Sequence, residues 1–69
     1  MPYATIEDLP PAVRHHLPAH GQEIYRNAFN HAWVSYAGNA AREEIAHRVA
    51  WAAVKHRYRK AGGTWQPLP

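Results

Sequence analysis

Cysteine is absent from the 69 residues of this chain, which removes disulfides and thiolate metal sites from the ways a small fold can be held together. Serine occurs once, at Ser35 in a helical stretch, and no Gly-rich loop of the phosphate-cradling kind is present. No pair of carboxylates stands apart from structural use, so the residues argue against an enzyme. Long apolar runs are missing too. None approaches the roughly 20 residues that a helix needs to cross a bilayer, and the N-terminal stretch MPYATIEDLPP lacks the basic and apolar regions of a signal peptide. The expectation is a cytoplasmic protein with no membrane span and no cofactor. Acidic residues are outnumbered, five against eight Lys and Arg, for a formal charge of +3. That excess permits anionic partners without requiring them.

What the chain does have is aromatic mass: three Trp, four Tyr and one Phe. A core of this size supplies only about 3–5 kcal/mol by itself, and large rings are one way to raise the buried area per residue. Formation of a homodimer is another. The length suits one domain, residues 1–69.

Two Leu-Pro steps, Leu9-Pro10 and Leu17-Pro18, divide the first third of the chain. Proline is favoured at the start of a helix, where its missing N–H is not needed. The first helix is expected from about Pro10 to His16, with Asp8 as a capping acceptor and Val13 and Leu17 on one face. From Pro18 to Tyr36, residues Ile24, Tyr25, Ala28, Phe29, Ala32, Trp33 and Tyr36 recur at helical spacing, with Gly38-Asn39 as the stop.

The third helix is expected over Ala41–Lys60. It carries a stripe of Ile45, Val49, Ala52 and Ala53, widened by Ala46, Ala50, Trp51, Val54 and Tyr58. Glu43 and Glu44 in its first turn, and Lys55, Arg57, Arg59 and Lys60 in its last, complement the helix dipole. Gly62-Gly63 would end it. The fold class is mainly α, a compact three-helix single domain whose core comprises Ile24, Tyr25, Phe29, Trp33, Ile45, Val49, Trp51 and Val54. Trp65 in the short tail would pack on the helices or on Tyr3. A two-stranded β ribbon pairing the tails, Tyr3 to Thr5 with Thr64 to Gln66, is a further expectation.

Two long stretches carry a resemblance. Leu17, Pro18, His20, Gln22, Ile24, Tyr25, Ala28, Phe29, Asn30, Ala32 and Trp33 follow the pattern LP-x-H-x-Q-x-IY-x-x-AFN-x-AW. Arg42, Glu43, Glu44, Ala46, His47, the run Val49 to His56, and Tyr58 follow REE-x-AH-x-VAWAAVKH-x-Y. In these motifs, and in the opening MPY and DLP, the chain resembles the ChaB family over almost its whole length. It departs from the pattern in the brief turn Gly38 to Ala41, where some members carry a longer, charged loop, so no role of that loop carries over. The resemblance implies a non-enzymatic regulator of cation transport, associated with a sodium or calcium/proton antiporter and acting by protein–protein interaction. It also allows a nucleic-acid-binding alternative, since DNA binding has been proposed for viral domains of this kind.

Six histidines raise the question of a metal. His15, His16 and His20 gather at the second Leu-Pro step, and Glu44-Ile45-Ala46-His47 has the Glu-x-x-His spacing of di-iron bundles. Such a site needs two of these motifs and two further inward glutamates, and Glu23 is the only other candidate in a helix interior. No metal is assigned, and His20, Glu44 and His47 are only weak candidates. The simpler expectation is that His20 and His47 are partly buried, with ring nitrogens bonded to helix ends or to each other. The basic set Arg48, Lys55, Arg57, Arg59 and Lys60 reads first as a solvated helix end. It is also the best candidate for an anion, nucleic-acid or partner surface.

Overall fold

A computed structural model describes residues 2–69, so Met1, the first residue of the MPY match, lies outside the described residues. A 3-10 turn at Ile6–Asp8 leads into α1 (Pro11–His16), α2 (Ala19–Ser35) and α3 (Arg42–Lys55), followed by an antiparallel ribbon of β1 (Tyr58–Ala61) and β2 (Thr64–Pro67). Both Leu-Pro steps precede a helix as expected, but their prolines stand one residue before the first helical position. Pro10 and Pro18 are the N-caps of α1 and α2. Leu17, extended before its proline, ends α1, and Gln22 Nε2 donates to its carbonyl at 2.8 Å, supplying a partner at the helix end. Asp8 does not cap α1. Its carboxylate turns back to accept the Thr5 N–H at 3.1 Å, closing the 3-10 turn instead.

The core forms where α2 lies along α3, the most extensive contact in the molecule. Tyr25, Phe29 and Ala32 come from α2, Ala46, Ala50 and Val54 from α3, and Leu9, Val13, Leu17 and Tyr58 close the ends. Ala46, Ala50 and Val54 are spaced one turn apart, and the two alanines leave room for the rings of Tyr25 and Phe29, both fully buried. Burying each ring contributes on the order of 2–3 kcal/mol at most. This corrects the expected stripe. Val49 is 37% exposed and Ile45 lies at the margin, because α3 is turned by about one residue, roughly 100°, from the assumed face. Ile24, Trp33 and Trp51 pack against the core from its edge.

The ribbon exists, but its strands are not the two tails. Helix α3 stops at Lys55 rather than Lys60, and Arg59 and Lys60 lie in β1. Gly62 and Gly63 form the two-residue connection, with φ of 59° and 84°. Two successive positive φ values match the twist of a tight hairpin and are accessible to glycine at little cost. Closing this short loop costs far less entropy than bringing residues 3–5 to residues 64–66. The N-terminal segment is held on α2 instead. Asn30 accepts the Tyr3 N–H and donates to the Tyr3 carbonyl, both at 2.8 Å, in place of a strand partner. The Tyr3 ring rests on Phe29 at 4.7 Å.

Candidate functional site

The hairpin builds a groove of about 350 Å³ lined by Ala12, His16, Trp51, Lys55, Lys60 and Trp65. Each wall follows from local geometry. Ala12 and His16 lie one turn apart on α1, and Trp51 and Lys55 lie one turn apart on α3. Lys60 and Trp65 are directly paired across the ribbon, so their side chains leave on the same face. The tryptophans stack at 5.5 Å with planes 27° apart, and Tyr25 meets Trp51 edge-on at 5.1 Å. The lining is therefore aromatic, braced from the core through Trp51, and carries the charge of two lysines.

Strand alternation divides the basic set that helical spacing would have kept together. Lys60 shares a face of the ribbon with Tyr58, while Arg59, opposite Gln66, belongs to the other face. Lys55 joins Lys60 at the groove. Arg57 lies between α3 and β1, its carbonyl accepting the Leu68 N–H at 2.8 Å. Arg48 is engaged with Glu44, one turn earlier, at 2.9 Å.

The weak metal candidates are directed apart: Glu44 to Arg48, His47 to Tyr25 and His20 to Tyr58, whose hydroxyl lies 3.3 Å from Nδ1. Among the described residues no three His, Cys, Asp or Glu side chains gather in a metal-binding arrangement. His47 is half-buried as expected, but its partner is a tyrosine hydroxyl rather than a helix end or another histidine, and His20 is exposed. Burial lowers the His47 pKa against an opposing pull from Glu43, and burial raises the Tyr25 pKa, with a smaller push from Tyr3. With both groups neutral, one proton is shared along the Tyr25 hydroxyl–His47 Nδ1 hydrogen bond, and the imidazole tautomer sets which of them donates.

Sequence reasoning missed Trp65, Lys60 and His16 as neighbours. The available signal was Gly62-Gly63 between two four-residue stretches, a hairpin turn as readily as a helix stop.

Residues 9–68 match the ChaB family model. The chain is 56% identical over 66 residues to the "putative cation transport regulator ChaB" of Escherichia coli strain K12, covering 87% of each chain. The protein of the same name from Shigella flexneri matches to the same extent, 56% over 66 residues. A solution NMR structure, also titled as that of the "putative cation transport regulator ChaB", superimposes with a TM-score of 0.86 at 49% identity, covering 99% of this chain and all of that one.

Proposed function

The chain belongs to the ChaB family, and from that premise we propose that it regulates cation transport without catalysing a reaction, by docking onto a sodium or calcium/proton antiporter from the cytoplasmic side. The observation that carries this reading is the 56% identity to proteins named as cation transport regulators. Two features of the fold support it. The interior hydroxyl and imidazole, Tyr25 and His47, are spent on each other rather than aimed into the groove. The exposed cations Lys55, Arg57, Arg59 and Lys60 all lie where α3 gives way to the hairpin, on both faces of the ribbon, an end of the molecule suited to an acidic loop of a transporter.

The test is co-purification of the tagged chain with the host's cation/proton antiporters in mild detergent, followed by sodium- or calcium-driven proton exchange in vesicles with and without the chain. Recovery of an antiporter and a changed exchange rate are expected, both weakened when Lys55, Arg57, Arg59 and Lys60 are changed to Glu. Exchange that is indifferent to the chain, with no antiporter recovered, overturns the proposal.

A further inference from the structure

The groove between α1, the end of α3 and the hairpin has a composition that docking of a protein loop onto the basic surface does not require. Its lining combines the mutually stacked indoles of Trp51 and Trp65 with two ammonium groups and an imidazole. No carboxylate lines it. The ion pairs among the described residues are Arg26 with Glu23 and Arg48 with Glu44, so Lys55 and Lys60 have no anionic partner among those residues. His16 donates from Nδ1 to the Ala12 carbonyl, which leaves Nε2 without an intramolecular bond among the described residues. The cavity, about 350 Å³, is of the size of small-molecule sites, which run from roughly 300 to 1,000 Å³.

We propose that this groove binds a nucleotide, its base against the Trp51–Trp65 stack and its phosphate between Lys55 and Lys60. An indole stack that lines the groove favours a planar heterocycle over a branched aliphatic group, since stacking on an aromatic face needs no particular base. Paired lysines favour phosphate over carboxylate. Lys is a compact point charge, and two of them match the dianionic charge of a terminal phosphate, whereas planar carboxylate recognition is the strength of the arginine fork. The indole stack is also preorganised. Tyr25 supports Trp51 from the core, and the direct pairing of Lys60 with Trp65 puts cation and ring on one face, so the ordering left to the ligand falls on the lysine side chains. Free mononucleotide and the bases of a single strand share this chemistry, and the arms of the experiment separate them. Docking on an antiporter is not a premise, and the groove can be tested with no transporter present.

The experiment is an NMR titration of the full chain with ADP, adenosine, inorganic phosphate and a short oligo(dA), read at the indole N–H signals. The chain's three tryptophans provide an internal control, because Trp33 lies away from the groove, under Arg42. ADP is expected to shift the Trp51 and Trp65 signals saturably and leave Trp33 in place, with adenosine and phosphate each at least about tenfold weaker. The double variant Lys55→Glu/Lys60→Glu, whose fold is checked by signal dispersion, should weaken ADP by a further factor of about ten or more. Trp65→Leu should abolish the stacking response at Trp51. Tighter binding of oligo(dA) than of ADP identifies a single strand as the source, and the reverse order identifies free nucleotide. The proposal is overturned if neither moves Trp51 and Trp65 at about 10 mM, a concentration above the weakest affinities of interest. It is also overturned if the Lys variants bind ADP unchanged, or if an acidic peptide shifts the two indoles where ADP does not.

Discussion

The hydroxyl of Tyr25 on α2 and Nδ1 of His47 on α3 share a hydrogen bond that joins the two main helices at the edge of the core. Burial keeps the proton on the tyrosine and off the imidazole. The unfolded chain takes up a proton at His47 near the ordinary value of 6.5, before the folded chain does. Stability from this site is therefore fully present above 6.5 and declines as pH falls from there toward the lowered folded pKa. Denaturant melts between pH 8 and pH 5 should show that decline, and His47→Gln should flatten it. An equal slope in the variant would show that another group controls acid sensitivity. Tyr25→Phe should cost about 0.5–1.5 kcal/mol at neutral pH and keep most of the slope, since burial is the larger cause.

Gly21 sits in the first turn of α2, buried between Leu17 and Tyr58. A methyl group there would meet Leu17 at 3.4 Å and Tyr58 at 3.5 Å, ordinary contact distances, with no left-handed backbone to oppose it. Gly21→Ala should therefore stabilise the protein by up to about 1 kcal/mol. In a chain of this size that corresponds to a Tm increase of roughly 4–8 °C. A lower Tm would mean that Tyr58 and Leu17 cannot yield even slightly.

Much of the helical architecture was legible because its signals are local. Pro10 and Pro18 start helices, and the ring spacing from Ile24 to Trp33 marks a helical face. The rotation of α3 was not legible, since Ile45-Val49 and Ala46-Ala50 repeat with the same period and hydrophobicity favours the wrong pair. Alanine won because the limiting requirement was room for Tyr25 and Phe29 on the opposite helix, a property of the pair of helices rather than of either sequence. The groove was hidden for a similar reason. Lys55 and Lys60 look like one run of charge until the strand at Tyr58 turns Arg59 away and brings Lys60 beside Trp65.

The hairpin turn should tolerate residues unequally. With φ of 59° at Gly62, asparagine is compatible, whereas alanine pays a steric cost of about 1 kcal/mol. Gly62→Ala should loosen the pairing of Lys60 with Trp65 and increase amide exchange in β1 and β2. Gly62→Asn should preserve both. Similar protection in the two variants would refute the role given to the positive φ.

Arg42 shows why a conservative exchange need not be conservative. Its Nε donates to the Trp33 carbonyl at 2.6 Å while the guanidinium lies 3.9 Å above the Trp33 ring. One planar group thus serves both the end of α2 and the start of α3, across the short turn between them. A lysine ammonium has no Nε–H at that position on the stem and no plane to lay on the indole, so it cannot meet both demands at once. Arg42→Lys should cost about 1–2 kcal/mol, combining a hydrogen bond with part of a cation–π contact, and Arg42→Ala only slightly more. The predicted closeness of those two losses is the discriminating result. If lysine restored most of the stability lost in the alanine variant, the contribution would come from positive charge beside the C-terminal carbonyls of α2 rather than from the fork and plane of the guanidinium. Repeating the melts in high salt separates the two, because a charge effect would be screened there and the geometric one would persist.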